Sequence, residues 1–192
     1  GGERGLYRST DGGATWESVL TIDENTGVTD VEMDPSNPDV LYAAAYQRRR
    51  SVAAFLGGGP GSGVYKSSDG GDTWRRIEVG LPGGDMGKIG LAVTPADPDL
   101  VYATIEADES ERGFYRSTDK GESWERRNSY ISGGTGPHYY QEIEASPTDP
   151  DVVYQMDVFM RVTRDGGATF APLESGHDKH SDNHALWIDA AN

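Results

Sequence analysis

The chain has 192 residues, enough for one domain with a sizeable core, and its formal net charge is −15. Because 32 acidic side chains outnumber 17 basic ones, the surface would repel phosphate, which excludes nucleic acid and disfavours anionic membrane surfaces. The sequence has no run of 18 apolar residues, so membrane insertion is not expected, and the lack of cysteine excludes disulfide and thiolate chemistry.

An eight-residue motif, here called the octet, occurs four times along the chain, at 9–16, 67–74, 117–124 and 163–170. Its third residue is always aspartate and its last residue is always aromatic: Asp11, Asp69, Asp119 and Asp165, with Trp16, Trp74, Trp124 and Phe170. The aspartates are 58, 50 and 46 residues apart, which is the length of a four-stranded propeller blade with its loops.

A second motif, here called the proline turn, alternates with the octets at 34–42, 94–102 and 146–154, and a fourth copy begins at 188–192. Each copy is a proline-braced turn followed by an apolar, β-rich run, which predicts a strand–turn–strand connection. Together the two motifs predict the strands of one blade, in chain order, at about 28–34, 39–46, 63–67 and 73–78.

These repeats predict an all-β fold, a β-propeller sector made of four-stranded antiparallel blades. In chain order we expect part of a blade, three whole blades and the start of another, at 1–27, about 28–86, 87–138, 139–183 and 184–192. An open arc leaves unpaired strand edges, so we expect the sector to be part of a larger propeller. The remaining blades would come from the same parent chain or from another copy.

The composition of the octet indicates a folding device. Glycines such as Gly13 and Gly71 can supply the positive φ of a tight hairpin, and the aspartate can accept hydrogen bonds from amides of its own turn. The Thr or Ser at the seventh position can join this network, and we expect the final aromatic ring to be buried between neighbouring strands. Because every blade repeats these aspartates, we interpret them as structural rather than catalytic.

The octets resemble the Ser-x-Asp-x-Gly-x-Thr-Trp Asp box of bacterial sialidases, xyloglucan-degrading propeller hydrolases and sortilin-type receptors. Together with the glycine-rich stretch 60–63 and the segment 180–189, they are most similar to bacterial sortilin-like (VPS10-type) propeller proteins, often labelled glycosyl hydrolases. The resemblance implies that the Asp boxes lie on the outer rim, away from the ligand face. It favours an extracytoplasmic or secreted location over the cytoplasm, without fixing the compartment.

Successive turns of an up-and-down blade alternate between two faces. The proline turns and octets therefore share one face, here called the turn face, and the other connections share the opposite face, here called the loop face. The loop face collects the segments that differ between blades: 20–27, 46–62, 79–86, 107–112, 128–138 and 174–183. Because loop variation on a repeated scaffold is where binding is expected, the loop face is the predicted functional surface.

One segment of the loop face is rich in metal-binding residue types. His177, His180, Asp182 and His184 lie within eight residues, and imidazole with carboxylate suits a divalent transition metal such as zinc. The alternative is a polar loop whose groups hydrogen-bond to one another. No other cofactor is expected.

The innermost strand of each blade is its first, so the start of this strand faces the central channel. Alignment on the proline turns places Lys88, Tyr140 and Asn183 at equivalent positions, with Gln141 and His184 one residue on. We predict that these side chains contact a polar ligand. The alternative is that they only fill the channel and hold water.

The longest loop, 46–62, contains Arg48, Arg49 and Arg50. Three adjacent guanidinium groups could clamp a carboxylate or an acidic peptide, and the alternative is a solvated loop. His138, which ends another loop of the same face, is a further candidate for ligand binding.

Hydrolysis of a glycosidic bond needs two carboxyl groups about 5–10 Å apart across a cleft. Asp30, Asp85, Glu142 and Asp182 are the acids best placed on the loop face, and the sequence does not pair any two of them. Three functions stay open: a module that binds protein, peptide or glycan, a part of a sialidase- or xyloglucanase-type glycoside hydrolase, and a structural part of a larger assembly. A deep acid-lined cleft favours the enzyme, and a shallow face favours binding.

Overall fold

The computed structural model describes residues 3–132, 138–173 and 180–190. In these ranges the regular structure is entirely β. The strands are β1 Leu6–Arg8, β2 Glu17–Leu20, β3 Thr26–Met33, β4 Leu41–Gln47, β5 Arg49–Arg50, β6 Phe55–Leu56, β7 Gly63–Ser67, β8 Arg75–Ile77, β9 Ile89–Val93, β10 Val101–Ile105, β11 Gly113–Ser117, β12 Glu125–Asn128, β13 Ile143–Ala145, β14 Val153–Gln155, β15 Arg161–Thr163 and β16 Ala171–Pro172.

Three four-stranded antiparallel sheets form successive blades, here called blades 1, 2 and 3, in the orders β3-β4-β7-β8, β9-β10-β11-β12 and β13-β14-β15-β16. The hairpin β1-β2 precedes them, and β5-β6 forms a small separate hairpin within blade 1. The predicted fold class is therefore confirmed. The strands of blade 1 begin and end within two residues of their predicted positions. No described segment is a helix long and apolar enough to span a membrane.

The core lies between the blades rather than inside any one sheet. Side chains on a strand alternate between its two faces, so Leu91 of β9 packs in a cluster shared with blade 1, whereas Ala92 packs in a cluster shared with blade 3. Burial at about 25 cal/mol per Å² makes these interblade clusters the main source of stability. Each blade therefore depends on its neighbour.

The octets form the hydrogen-bonded turns that the sequence predicts. In the third octet, Asp119 accepts hydrogen bonds from the Ser123 amide (2.9 Å), the Ser123 hydroxyl (2.6 Å) and the Ser117 hydroxyl (2.7 Å), and the other three octets repeat this pattern. In the second octet, hydrogen bonds from the side chain and the amide of Thr73 lower the pKa of Asp69 to about 2. The carboxylates are thus held ionised by their own turns.

The proline turns and octets do share the turn face. Within each blade an octet amide donates to an aspartate carbonyl of the proline turn, as in Gly70 to Asp39 at 2.9 Å and Gly166 to Asp151 at 3.0 Å. The third octet has Lys120 where the others have glycine, and Lys120 takes the same left-handed conformation, with φ 58°. Its ammonium donates to the buried carboxylate of Asp34 in blade 1 at 2.8 Å, which links blades 1 and 2.

The expectation that every octet aromatic is buried is wrong for Trp16. The Trp124 ring is 7% exposed because it packs on the cluster between blades 1 and 2, whereas Trp16 is 64% exposed. The burial therefore comes from the preceding blade rather than from the octet's own hairpin. Trp16 lacks such a neighbour in the described structure.

The strand predicted near 184–192 is also absent from the described residues 180–190. A first strand is stabilised by hydrogen bonds to the second strand of its own blade, and that strand would follow the fourth proline turn. The segment instead packs beside the first strand of blade 3, where the rings of His184 and Tyr140 stack.

The two tryptophans give a matched test of interblade burial. Trp124→Ala removes the ring that packs on blade 1, so it should lower the free energy of unfolding by about 3–5 kcal/mol. Trp16→Ala, which removes the same residue from a mostly exposed octet, should cost less than about 1 kcal/mol. Urea unfolding followed by fluorescence measures both, and equal losses would contradict interblade packing as the role of this residue.

Candidate functional site

A pocket of about 230 Å³ lies where the first strands of the blades converge. Its ionisable lining comes from blade 1, from the starts of the first strands of blades 2 and 3, and from the segment after blade 3: Asp30, Glu32, Lys88, Glu142, Glu144 and His184. The pocket therefore collects four of the residues predicted to contact ligand or catalyse, Lys88, Gln141, Glu142 and His184, together with Asp30.

An irregularity in β3 aims one acid across the blades. The pairing of β3 with β4 passes from Val28–Ala45 directly to Asp30–Ala44, so Thr29 is the extra residue of a β-bulge. The Asp30 carboxylate then reaches blade 2, where it accepts a hydrogen bond from the Leu91 amide at 2.8 Å. A bulge next to a pocket is a common way to redirect a side chain.

Glu142 lies between Lys88 and His184. Its Oε1 accepts a hydrogen bond from Lys88 Nζ at 2.5 Å, and its Oε2 lies 3.8 Å from His184 Nδ1. Oε2 is buried and has no hydrogen-bond partner among the described residues. Lys88 also donates to the carbonyl of Tyr139 at 3.2 Å, so its ammonium is fixed between two oxygens. One Glu142 oxygen therefore has an unused acceptor position.

Gln141 positions Glu142 rather than contacting ligand through its side chain. The side chain is fully buried, and its Oε1 accepts a hydrogen bond from Thr104 at 2.9 Å. The backbone of Gln141 is left-handed, with φ 92°, and its carbonyl oxygen would lie 1.4 Å from a Cβ on residue 90. Gly90 is thus required for blade 3 to approach blade 2 this closely.

Tyr140 and His184 form a stacked pair, with ring centroids 5.0 Å apart and an angle of 5° between the planes. The Tyr140 hydroxyl donates to Asp182 at 2.6 Å, so this candidate catalytic acid is a hydrogen-bond acceptor. Tyr140 itself is buried, and Asn183 donates to the carbonyl of Asp157 at 2.8 Å. Of the aligned residues, Lys88 and His184 are the ones that present ionisable groups to the pocket.

Burial shifts the proton affinity of the pocket acids. Burial, and then the nearby carboxylates of Asp30 and Glu144, raises the pKa of Glu32 to about 8. Burial also raises the pKa of Asp30 and of Glu144. The sequence analysis missed Glu32 and Glu144, although each lies two residues after a recognised acid, on the same face of its strand. At neutral pH the pocket therefore holds at least one protonated carboxyl group.

Next to the pocket, the hairpin β5-β6 presents aromatic and basic side chains. The Arg48 guanidinium lies 5.6 Å from the centre of the Phe55 ring, and the Phe55 ring lies 4.7 Å from the His138 ring. Burial, followed by the charges of Arg48, Arg50 and Lys88, lowers the pKa of His138. The hairpin of blade 1 thus reaches the segment that leads into blade 3.

Other predicted site residues are not brought into the pocket. Asp85 is exposed and does not line it. His177 lies outside the described residues, and His180 is exposed. Within the described ranges, no three His, Asp or Glu side chains are arranged to hold a metal ion. Asp182 and His184 instead contact Tyr140, so the metal site stays a prediction.

A protein-family model described as Sortilin, neurotensin receptor 3 (Sortilin-Vps10) matches residues 4–133, about two thirds of the chain. No curated protein matches the sequence. The connection to known proteins therefore comes from the family model and from solved structures.

Three solved structures have a similar fold. The GH74 enzyme of Niastella koreensis has a TM-score of 0.63 at 20% identity, covering 89% of this chain and 27% of its own. The GH74 xyloglucanase of Xanthomonas campestris has a TM-score of 0.55 at 23% identity, covering 87% and 22%. YCF48 bound to D1 peptide has a TM-score of 0.54 at 14% identity, covering 78% and 41%. The chain spans less than half of each, and these identities show the fold alone.

The raised pKa of Glu32 gives a pH-dependent stability that can be isolated by mutation. Its folded value of about 8 exceeds its ordinary value of 4.5, so its contribution to stability is complete below pH 4.5 and is lost as the pH rises through 8. Glu32→Gln has no carboxyl group to ionise, so this loss disappears. Between about pH 5 and pH 9 the free energy of unfolding of the variant should rise by at least about 1 kcal/mol relative to that of the wild type. Urea unfolding measures the difference. The exposed Glu109→Gln should show no such gain, and parallel pH profiles of Glu32→Gln and wild type would contradict the assignment.

Proposed function

The chain belongs to the Sortilin-Vps10 family, and we propose that it is a binding module that holds a protein or peptide partner on its loop face. The observation that carries the proposal is the hairpin β5-β6, which presents exposed apolar and arginine side chains. Its Phe55 ring contacts His138, and the next residue, Tyr139, accepts a hydrogen bond from the pocket residue Lys88. Each of the next three features supports it independently.

The hairpin exposes large apolar side chains. Phe55 is 42% exposed and Leu56 is 55% exposed, and Val52 at the hairpin tip is also exposed. Leaving such side chains in water forgoes about 1.5–3 kcal/mol of burial each, and adjacent exposed apolar groups are typical of interaction surfaces. Aromatic and arginine side chains are also the residue types enriched where proteins bind one another.

The charge of the hairpin selects the kind of partner. Arg48, Arg49 and Arg50 are exposed, and none of them forms an ion pair with any described residue. This is notable in a chain of charge −15, where carboxylates are abundant. Unpaired guanidinium groups favour a partner that supplies carboxylates. We therefore infer an acidic peptide segment with apolar residues.

The size of the pocket agrees with peptide binding. Sites for drug-sized ligands usually measure about 300–1,000 Å³, whereas this pocket measures about 230 Å³. It suits one side chain of a peptide whose remaining residues lie on the hairpin. The free Oε2 of Glu142 offers an acceptor to a hydroxyl or amide of that side chain. A structural relative, YCF48, is known bound to a peptide, which supports this use of the fold.

Further blades are the second partner that we propose. Val31 and Met33 of β3 are exposed together with Trp16, although the equivalent side chains in blades 2 and 3 pack on a preceding blade. This surface has the composition of the described interblade faces. Blades from the same parent chain or from another copy would cover it.

Selection from a random dodecapeptide library on the wild-type protein tests the peptide hypothesis. The selected peptides should be enriched in Asp, Glu and aromatic residues. Arg48→Glu and Phe55→Ala should each weaken the best peptide at least tenfold, about 1.4 kcal/mol, whereas Arg164→Glu, at an exposed arginine of blade 3, should change its affinity less than twofold. Isothermal titration calorimetry measures the affinities. Enrichment of basic peptides, or equal losses in all three variants, would overturn the proposal.

The acids of the pocket favour glycoside hydrolysis as a second function. Glu32, with a pKa of about 8, could donate a proton at neutral pH, while Glu142 forms an ion pair with Lys88. Two structural relatives are GH74 enzymes, which makes xyloglucan oligosaccharides the substrate to try. If the chain is such an enzyme, reducing-sugar release should fall at least 100-fold in both Glu32→Gln and Glu142→Gln and be unchanged in Glu109→Gln. Absence of turnover by the wild type would remove this function.

A further inference from the structure

A second cavity, of about 300 Å³, lies beside the β5-β6 hairpin. Its lining comes from the N-terminal segment, the loop before β3 and the hairpin itself: Arg4, Glu24, Asn25, Arg49, Arg50 and Ser51. Three arginines and one glutamate line this space, which gives it a local charge of opposite sign to that of the chain. We propose that it is a binding site for a doubly charged oxyanion, the chemistry of a phosphate or sulfate ester.

Arg4 is fixed in place by the two loops that meet at the cavity. Its Nη1 donates to the carbonyl of Asn25 at 2.8 Å and to the carbonyl of Arg48 at 2.7 Å. The Arg48 amide also donates to the Asn25 carbonyl, at 3.0 Å, so the two loops are joined directly. Both bonds use the same nitrogen of Arg4, which leaves its other N–H groups for a ligand.

Backbone pairing in the hairpin fixes the positions of Arg49 and Arg50, without side-chain ion pairs to described residues. In the hairpin, Arg49 pairs with Leu56 and Arg50 pairs with Phe55, and the turn closes with a bond from the Ser51 amide to the Ala54 carbonyl at 2.8 Å. Neither guanidinium forms a hydrogen bond or an ion pair with a described residue. Like charges held together this way repel unless an anion lies between them.

The number of guanidinium groups decides the class of anion. One arginine fork is enough to hold a carboxylate in a bidentate pair. Three arginines around one cavity, with Glu24 as the one acid in its lining, match an anion with two charges and at least three acceptor oxygens. The volume also leaves room for the group to which a phosphate or sulfate is esterified.

Titration with inorganic sulfate and phosphate at constant ionic strength, followed by calorimetry, tests this site without any peptide. Sulfate should bind at least tenfold more tightly than acetate. Phosphate should bind more tightly at about pH 8 than at about pH 6, since it then carries its second charge, whereas sulfate should not change. Equal affinity for sulfate and acetate, or no saturable binding, would overturn the proposal.

Variants locate the anion. Arg50→Gln and Arg4→Gln should each weaken sulfate binding at least tenfold, and Arg4→Lys should also weaken it because the ammonium lacks the planar fork. Arg164→Gln, at an exposed arginine on blade 3, should leave the affinity within twofold, and a loss equal to that of Arg50→Gln would contradict the site. Urea unfolding checks that Arg4→Gln is folded. Arg4 takes no part in the proposed peptide site and sulfate is titrated without peptide, so the Arg4→Gln result and the peptide test can fail separately.

Discussion

Burial of apolar side chains between neighbouring blades is the constraint on which the rest of this structure depends. Leu91 of blade 2 and Ile143 of blade 3 occupy equivalent strand positions, and each packs on the blade before it. The octets and proline turns hold each hairpin in shape, and residues such as Trp124 and Tyr42 at their ends pack into the interblade clusters. The convergence of the first strands, and hence the pocket, follows from this packing.

Side chains of each first strand alternate between the two faces of its sheet, and those on the face opposite the preceding blade form the pocket. The strand positions that face the next blade are Asp30 and Glu32 in blade 1 and Glu142 and Glu144 in blade 3, but Gly90 and Ala92 in blade 2. The small residues of blade 2 allow blade 3 to approach it closely, with the Gln141 carbonyl lying where a Cβ of residue 90 would be. Four carboxyl groups from blades 1 and 3 then line one pocket, and their burial raises the pKa of three of them.

The features that the sequence predicts are those held by interactions between residues close together in the chain. The Asp–Thr hydrogen bonds of the octets lie within five residues, so they and the four-stranded blades follow from the repeat. The burial of Trp124 but not of Trp16 depends on a neighbouring blade, and the approach of Arg4 to Arg49 depends on two loops meeting. Glu32 and Glu144 could have been recognised from their two-residue spacing to Asp30 and Glu142. The left-handed backbone of Gln141 has no such signal, because glutamine rarely takes it.

The central claim is that the turn face is scaffold and the loop face binds. Amide hydrogen exchange with and without a bound acidic dodecapeptide tests it most directly, because exchange reports protection segment by segment. We predict slower exchange in the hairpin 49–56 and at 138–143, with no change in the octets 67–74 and 117–124. Protection of the octets, with the hairpin unchanged, would contradict the account.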